Sequence, residues 1–526
     1  MVKIWRYLLI LVLYSGYNTA FSQDVTLYQM DFLGQRHKLN PALSPITRFY
    51  FGVSNSLSVG SNSFVPDDLF VPILGSDSFM LSTRNLLNGM RDENALRIDA
   101  LNDLSIGVKI NPKWFLFTGY HVNSNTRFNY PKDLFRFLLL GNAAPENLNQ
   151  ELDIGNFALN HTTYSDLSLG ATYQPSCKLS VGLRIRRLHG LANLNTQSAS
   201  IKVTTSDEIY QMTLSNELLF NYSYSSALDF DKIAPLQLLF SQNRGIGLDM
   251  GAKYTMLNDK LHISASLIDL GFINWTENAT QISNKSQNRE ITFGGFNMND
   301  FSSEDAAKDL VDSLESLFEL DESSIGGYRT SLVSRFYTGA QYQFNSTFNA
   351  GVMYYGEIAN QRLRSALSFN AGINLYKVLE LRANASFMNR SLTNLGGGFA
   401  LNAGPMQFFV LTDNYSVALS PLNSNTIHYR VGFNWIFGYF KDKKNPCSPD
   451  YEAPKVSAPL PQNADSDQDV STDQEPVDQS TEENDEEERD VEENDEESED
   501  EESEEEETEE EENEETEDEK GEEKRL

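Results

Sequence analysis

The chain has 526 residues and a formal net charge of −35, most of which lies at one end. Residues 441–526 hold 40 acidic and 8 basic residues, whereas residues 1–440 hold 36 acidic and 33 basic residues and are nearly neutral. No basic face suggests a nucleic-acid partner, and no run of about 20 apolar residues could form a transmembrane helix.

The first residues have the layout of a secretory signal peptide. Two basic residues come first, residues 8–14 are apolar, and the small residues Ala20 and Ser22 follow. This order predicts that residues 1–22 are removed on export, because the apolar core is too short for the alternative, a membrane-spanning anchor. An exported chain without an apolar helix is either a soluble secreted protein or a transmembrane barrel.

A period of two residues runs through the body of the chain, from residue 48 to residue 440. Apolar and polar residues alternate, so successive side chains point to opposite faces of predicted strands. The last segment is the clearest, because its odd positions from Ile427 to Tyr439 are all apolar, whereas Arg430 and Asn434 stand at even positions. Such a strand fits either a soluble sandwich or a membrane barrel.

Three features favour an all-β fold that forms a closed antiparallel transmembrane β-barrel. The strands are long enough for a tilted crossing, aromatic residues gather near strand ends, and short turns alternate with long loops. We count fourteen candidate strands, within a range of twelve to sixteen, and an even number is expected of a single-chain barrel. They cover residues 48–58, 103–110, 113–122, 163–174, 178–187, 245–256, 260–269, 331–344, 347–356, 362–375, 380–390, 396–403, 406–412 and 426–440.

Three loop segments have patterns of their own. Residues 302–318 begin with Ser and acidic residues and continue with apolar residues at helical spacing, and residues 131–140 form a shorter candidate helix. These helices could form a lid or a partner surface, or pack on the barrel mouth, which we favour. Residues 198–224 could hold an extra hairpin.

The acidic tail, residues 441–526, follows the last predicted strand. Its low hydrophobicity and high charge predict a disordered segment, because it cannot bury enough apolar surface to order itself. An even strand number places the tail in the periplasm with the N-terminus. It could act as a solvating segment, bind divalent cations or dock on a basic periplasmic partner.

Residues 23–47 precede the first strand and contain the turn Asn40-Pro41-Ala42. This turn, the aromatic segment RFYFGVSNSLSVG that follows, and the segment GLDMGAKYTMLNDKLHISASLIDLGFINW at 247–275 resemble an uncharacterised outer-membrane barrel family of Bacteroidota, a domain of unknown function. That family is similar to the barrels of the fatty-acid transporter FadL and of the type IX secretion protein PorV.

The resemblance extends over about residues 28–440. It implies a fourteen-stranded barrel at 48–440, in the cell outer membrane, whose segment 23–47 enters the lumen as a plug or hatch. FadL-like members move hydrophobic compounds, whereas PorV-like members serve as protein shuttles. The acidic tail departs from the FadL pattern.

A set of cationic residues falls on predicted inward positions of the strands. Arg recognises carboxylate and phosphate groups in a bidentate manner, so these residues could form a cationic lumen that binds such a headgroup. The alternative, which we favour, is a ladder of interior ion pairs with acids such as Asp166, Asp249 and Asp269. The candidates are Lys109, Arg184, Arg186, Lys253, Arg335, Arg362, Arg364, Arg382 and Arg430.

No pattern indicates an enzyme, a cofactor or a metal site. The six His residues have no metal-ligand spacing, and the chain has no phosphate loop, GxSxG or HExxH motif. Two functions therefore remain open. The first is FadL-like passive transport of hydrophobic or amphipathic small molecules. The second is a PorV-like, non-transporting barrel in the outer-membrane lipid that scaffolds surface, periplasmic or secretion-complex proteins.

Overall fold

A computed structural model describes ten stretches of the chain. The predicted signal peptide, the predicted helix at 302–318 and the acidic tail lie outside them. Among the described residues, no helix is long and apolar enough to cross a membrane. The stretches are residues 24–63, 70–72, 79–208, 212–227, 241–284, 289–291, 320–359, 362–388, 391–415 and 426–439.

Fourteen antiparallel strands form one closed barrel, as the alternation predicts. Each strand pairs with its neighbours along the chain, and β1 also pairs with β14, which closes the ring. The strands are β1 (Thr47–Ser61), β2 (Glu93–Asn111), β3 (Trp114–Pro131), β4 (Ala158–Ser176), β5 (Leu179–Thr205), β6 (Arg244–Met256), β7 (Leu261–Trp275), β8 (Ser334–Gln343), β9 (Phe348–Ala359), β10 (Arg362–Leu375), β11 (Leu379–Met388), β12 (Ser391–Ala403), β13 (Met406–Thr412) and β14 (Thr426–Tyr439).

The two faces of the strands separate as their periodicity predicts. In β14, Tyr429, Val431 and Trp435 are exposed, whereas Arg430 and Asn434 are buried. The same division recurs around the barrel, where many large apolar side chains are exposed on the outside. A band of this extent would be costly in water and suits contact with lipid acyl chains.

The two ends of the barrel differ. At one end, hereafter the turn end, six short turns connect β2 to β3, β4 to β5, β6 to β7, β8 to β9, β10 to β11 and β12 to β13. At the other, the loop end, most strands are longer than predicted, and β5 reaches 27 residues. There β5 pairs with the strand Met212–Tyr224, so the predicted extra hairpin is present. Short strands at Glu151–Asp153, Thr280–Asn284, Arg289–Ile291 and Leu320–Ser324 extend this sheet.

Among the described residues, four short helices are not part of the barrel wall. α1 (Val25–Gln29) and the 3₁₀ helix Gly34–Lys38 precede β1, and α2 (Thr83–Gly89) precedes β2. α3 (Lys132–Leu140) confirms the shorter predicted helix. Its side chain Phe137 packs in a small apolar core with the loop-end sheet. Three further short strands complete the described fold: Phe70–Pro72, which pairs with Phe79–Leu81, and Tyr328–Ser331, which pairs with β7.

Candidate functional site: the lumen and residues 24–46

Residues 24–46, hereafter the N-terminal segment, are almost entirely buried. Their apolar side chains pack against inward side chains of one half of the wall, from β7 to β13, and so form the largest apolar cluster described. Its members are Val25, Leu27, Tyr28, Met30, Phe32, Leu33, Leu39 and Leu43 from the segment, and Ile268, Tyr337, Met353, Tyr355, Ala366, Ala400, Phe409 and Leu411 from the wall.

The turn Asn40-Pro41-Ala42 contacts the other half of the wall. The Asn40 Oδ1 atom accepts the Ala42 N–H at 2.9 Å, which closes the turn. Thr172 Oγ1 donates to the Pro41 carbonyl at 2.6 Å, and Ser180 Oγ donates to that of Ala42 at 2.9 Å. The turn thus contacts inward side chains of β4 and β5. The role of the whole N-terminal segment as a plug remains a prediction.

A glycine of the wall makes room for this turn. A Cβ atom at Gly182 would stand 2.1 Å from the Pro41 carbonyl group, far inside van der Waals contact. Only glycine allows the two backbones to approach so closely. A Cβ atom at Gly251 would likewise stand 2.0 Å from the Asn40 Oδ1 atom. The position of these glycines on adjacent strands is therefore matched to the turn.

Two carboxylates of the N-terminal segment pair with predicted lumen cations. Asp24 receives two bonds from Arg430, at 2.8 and 3.0 Å. Asp31 pairs with Arg382 at 2.8 Å and with Arg36 of its own segment. Sequence reasoning did not include Asp24 and Asp31, because they lie before the first strand and outside any periodic pattern.

These pairs also set the protonation of the segment. Burial alone would raise the pKa of Asp24, but Arg430 and His428 outweigh it and hold that pKa below its usual value. Burial likewise acts to raise the pKa of Asp31, and the charges of Arg36 and Arg382 lower it. Both carboxylates therefore stay ionised at neutral pH and keep the segment attached through charge-assisted bonds.

Three predicted cations join a second group of acids. Arg184 pairs with Asp249, and its Nη2 donates to the Lys38 carbonyl at 3.1 Å. Arg186 binds Asp166 at 2.9 Å and also reaches Asp269. Asp269 also accepts from Arg335 Nε at 2.8 Å, so three guanidinium groups share the two acids Asp249 and Asp269 of β6 and β7.

A β-bulge aims one of these acids into the lumen. The register of β6 with β7 shifts between Leu248 and Met250, and Asp269 has a φ of 60°. The extra residue turns the side chains of both Ile268 and Asp269 inward, against strict alternation. The Asp269 N–H then donates to Asp249 at 2.6 Å. The bulge lies within the segment that carries the family resemblance.

The remaining predicted cations are less tied to this network. Lys109 and Arg364 are half-buried, and Lys253 is half-buried beside a cavity at the turn end. The side chain of Arg362 lies outside the described residues. Sequence reasoning also missed a cluster at the loop end, where Arg97 and Arg127 reach Glu357 at 2.9 and 3.7 Å. These two cations lie beyond the strand limits that the alternation predicted.

The ion pairs around the lumen balance one another. Each of seven cations lies within 4.0 Å of at least one of seven acids, so the group has no net charge when His121 and His428 are neutral. This balance favours a ladder of interior ion pairs over a lumen that binds an anionic headgroup. Both interpretations remain predictions. The cations are Lys38, Arg97, Arg127, Arg184, Arg186, Arg335 and Arg430, and the acids are Asp24, Asp99, Asp103, Asp166, Asp249, Asp269 and Glu357.

Two cavities adjoin the N-terminal segment. The one toward the loop end has a volume of about 130 Å³ and is lined mainly by the ion pairs, with Leu27 and Leu39 of the segment. The one toward the turn end has a volume of about 1180 Å³ and is lined by Phe32 and Leu43 of the segment and by turn residues such as Tyr376. The segment thus separates a small charged space from a larger mixed one.

The sequence profile of a family of unknown function, DUF5723, matches residues 41–413. The chain belongs to DUF5723. No curated protein sequence matches it. The match starts at Pro41 and ends at Asp413, so it includes Pro41 and Ala42 of the turn, the bulge of β7 and the strands from β1 to β13.

Solved barrels share a coarse likeness with this DUF5723 chain. A TodX deltaS2S3 mutant, a monoaromatic hydrocarbon channel, is 10% identical with a TM-score of 0.41, over 79% of this chain and 100% of that one. A FadL homologue of Pseudomonas aeruginosa is 9% identical with a TM-score of 0.39, over 81% and 99%. The Pseudomonas putida toluene transporter TodX gives 10% and 0.36, over 80% and 96%. Such low scores carry no argument about function.

Proposed function

We propose that this protein is an outer-membrane barrel that passes hydrophobic or amphipathic small molecules through a lumen gated by its N-terminal segment. The exposed apolar band around the strands supports the membrane location, because only a closed barrel lets strands cross a bilayer with every backbone group paired. The direction follows from the unequal ends, since short turns face the periplasm in barrels of this kind.

The observation that carries the proposal is the two-sided character of the lumen. Barrel interiors are usually polar, yet half of this inner wall presents apolar side chains such as Ile268, Met353 and Phe409. The other half presents the balanced ion pairs. Displacement of the N-terminal segment would expose both surfaces to one passage. An amphipathic molecule could then contact apolar groups on one side and hydrogen-bonding groups on the other.

The attachment of the segment suits a gate. It is held by side-chain bonds and apolar contacts, including the Thr26 Oγ1 bond to Asp413 at 2.6 Å and the bond from Asn384 to Thr26, also at 2.6 Å. Each of these bonds can exchange for water when the segment shifts. The cavity at the turn end already provides about 1180 Å³ into which the segment could move.

A covalent lock tests the gate. In the variant Thr26→Cys/Asn384→Cys the two new thiols stand where bonded side-chain atoms stood, so oxidation should fix the segment to β11. Cells that express the wild type should take up the hydrophobic probe N-phenyl-1-naphthylamine faster than cells without the protein. The oxidised lock should lower uptake to the level without the protein, and dithiothreitol should restore it.

The single variant Thr26→Cys is the matched control and should behave as the wild type under both redox conditions. Equal uptake by the locked and the wild-type protein, with the disulfide verified by mass spectrometry, would reject gating by this segment. Uptake that equals the background in every variant would reject transport altogether.

A scaffolding function is the second candidate, favoured by the loop-end sheet. This sheet has its own apolar core, in which Ile201, Val203, Met212 and Leu214 are buried together with Phe137. Transport alone does not require such a core beyond the membrane. Two results together would favour this function. The wild type should show no uptake of the probe, and a protein partner that is recovered with the wild type should not be recovered with the variant Val203→Asp.

A further inference from the structure

The turn end of the barrel carries a ring of exposed cations. Five of them stand on different turns or strand ends, and Asp259 is the single exposed acid among the described residues at this end. None of the five forms an ion pair with a described residue. We call this set the basic rim: Arg48, Lys113, Lys178, Lys260 and Lys377.

Aromatic and apolar side chains stand directly beside these cations. Trp114 follows Lys113 and is 41% exposed, and its ring contacts that of Tyr173 at 4.5 Å between centroids. Tyr376 precedes Lys377 and is 95% exposed. Trp and Tyr gather at the level of lipid headgroups, where their apolar ring and polar group meet different surroundings. These residues therefore mark the depth at which the membrane surface meets the barrel.

We infer that the basic rim binds the headgroups of anionic phospholipids in the leaflet around the turn end. The rim lies at the edge of the exposed apolar band, so a lipid whose acyl chains lie against the wall would place its phosphate near the lysines. Cations at a membrane surface gain from an anionic leaflet, and the effect falls off within one Debye length. The inference rests on insertion of the barrel in a membrane and not on transport.

The turn geometry holds two of these lysines outward. Tyr376 and Lys377 both have positive φ, 49° and 61°, as in the tight turns that connect antiparallel strands. Asn258 and Asp259, just before Lys260, have the same backbone form. Such turns point the side chains away from the strand ends. The cations are thus presented by rigid turns, which lowers the entropy lost when a headgroup binds.

The test compares lipid retention by two matched variants of the full chain. One changes the rim (Lys113→Gln, Lys178→Gln, Lys260→Gln and Lys377→Gln), and the other changes four exposed cations of the loop end (Arg84→Gln, Arg91→Gln, Lys202→Gln and Arg244→Gln). Each protein is placed in nanodiscs of phosphatidylethanolamine with phosphatidylglycerol, and the lipids that remain bound on release into detergent are counted by native mass spectrometry.

The wild type and the loop-end variant should retain phosphatidylglycerol in preference to phosphatidylethanolamine. In the rim variant, the preference for phosphatidylglycerol should be at least about ten-fold smaller than in the wild type, since each lysine contributes at the surface of an anionic membrane. Salt at 1 M should reduce the preference of the wild type, because the Debye length then falls to about 3 Å. The acidic tail follows Tyr439 at the turn end and could compete for the rim, so each protein is also measured without residues 451–526, where the same order of preferences should hold.

Two outcomes would overturn the inference. One is an equal preference for phosphatidylglycerol in the rim and loop-end variants. The other is a preference of the wild type that does not respond to salt. Heat-modifiable mobility on a gel verifies that each variant is a folded barrel. If the four-fold variant fails to fold, the double variant Lys178→Gln/Lys377→Gln takes its place. The preference of this double variant for phosphatidylglycerol should lie between that of the wild type and no preference, with phosphatidylethanolamine and phosphatidylglycerol retained more equally than in the wild type.

Discussion

At the scale of single residues, the lumen shows what a two-residue period can and cannot predict. The period placed Arg184, Arg382 and Arg430 on the inward face before any partner was known, and all three are buried. It could not supply the partners Asp24 and Asp31, since the segment that holds them has no regular pattern. It also could not foresee the bulge at Asp269, which breaks the alternation locally.

The pair of Asp24 with Arg430 allows a direct test at this scale. Arg430 is 1% exposed, so Arg430→Gln would leave the Asp24 carboxylate without its main partner in a buried place. Loss of one partner of a buried pair costs about 3–5 kcal/mol. We expect backbone amides of residues 24–33 to exchange hydrogen at least about 100-fold faster in this variant, as measured by mass spectrometry, while the strand amides remain protected.

The double variant Asp24→Asn/Arg430→Gln is the control for that experiment. It removes both charges, so exchange should return part of the way toward the wild-type rate. A single variant that exchanges as slowly as the wild type would show that the segment is held by its apolar contacts alone.

At the scale of elements, the strands are predictable where their outer face is apolar and exposed. Every predicted strand is present, and the ends are misjudged mainly at the loop end. There the chain leaves the apolar band, and both faces of a strand can be polar, as in residues 123–127 of β3. The hairpin partner Met212–Tyr224, whose even positions are mostly apolar, then extends the sheet beyond the predicted strand limits at the loop end.

The outer face of β10 gives the second prediction. Phe369 lies near the middle of this strand and is 48% exposed. Phe369→Arg would place a charge against acyl chains, at a cost of about 2–4 kcal/mol near the midplane. We expect a lower midpoint in urea unfolding from lipid vesicles and a smaller fraction of assembled barrel. Tyr376→Arg, in the turn after the same strand, is the matched control and should change neither quantity.

At the scale of the whole molecule, the charge is divided between two parts with different requirements. The barrel balances its buried ions in pairs, and residues 1–440 are nearly neutral overall. The tail carries a net charge of −32 and almost no apolar side chains. A chain of this composition cannot form a core. The closed ring from β1 to β14, in contrast, needs no residue beyond Tyr439 for its strand pairing.

Removal of residues 451–526 should therefore leave the barrel intact. The truncated chain loses no strand and no residue of the lumen network, so it should still resist SDS until heated and show the same mobility shift on a gel. A chain that ends at residue 430, inside β14, is the matched control. It should fail to assemble, because the pairing of β1 with β14 is lost from Asn55 to Thr47 and an open edge remains in the membrane. Failure of the longer truncation as well would show that the acidic tail belongs to the folding unit, which neither its composition nor the strand pairing supports.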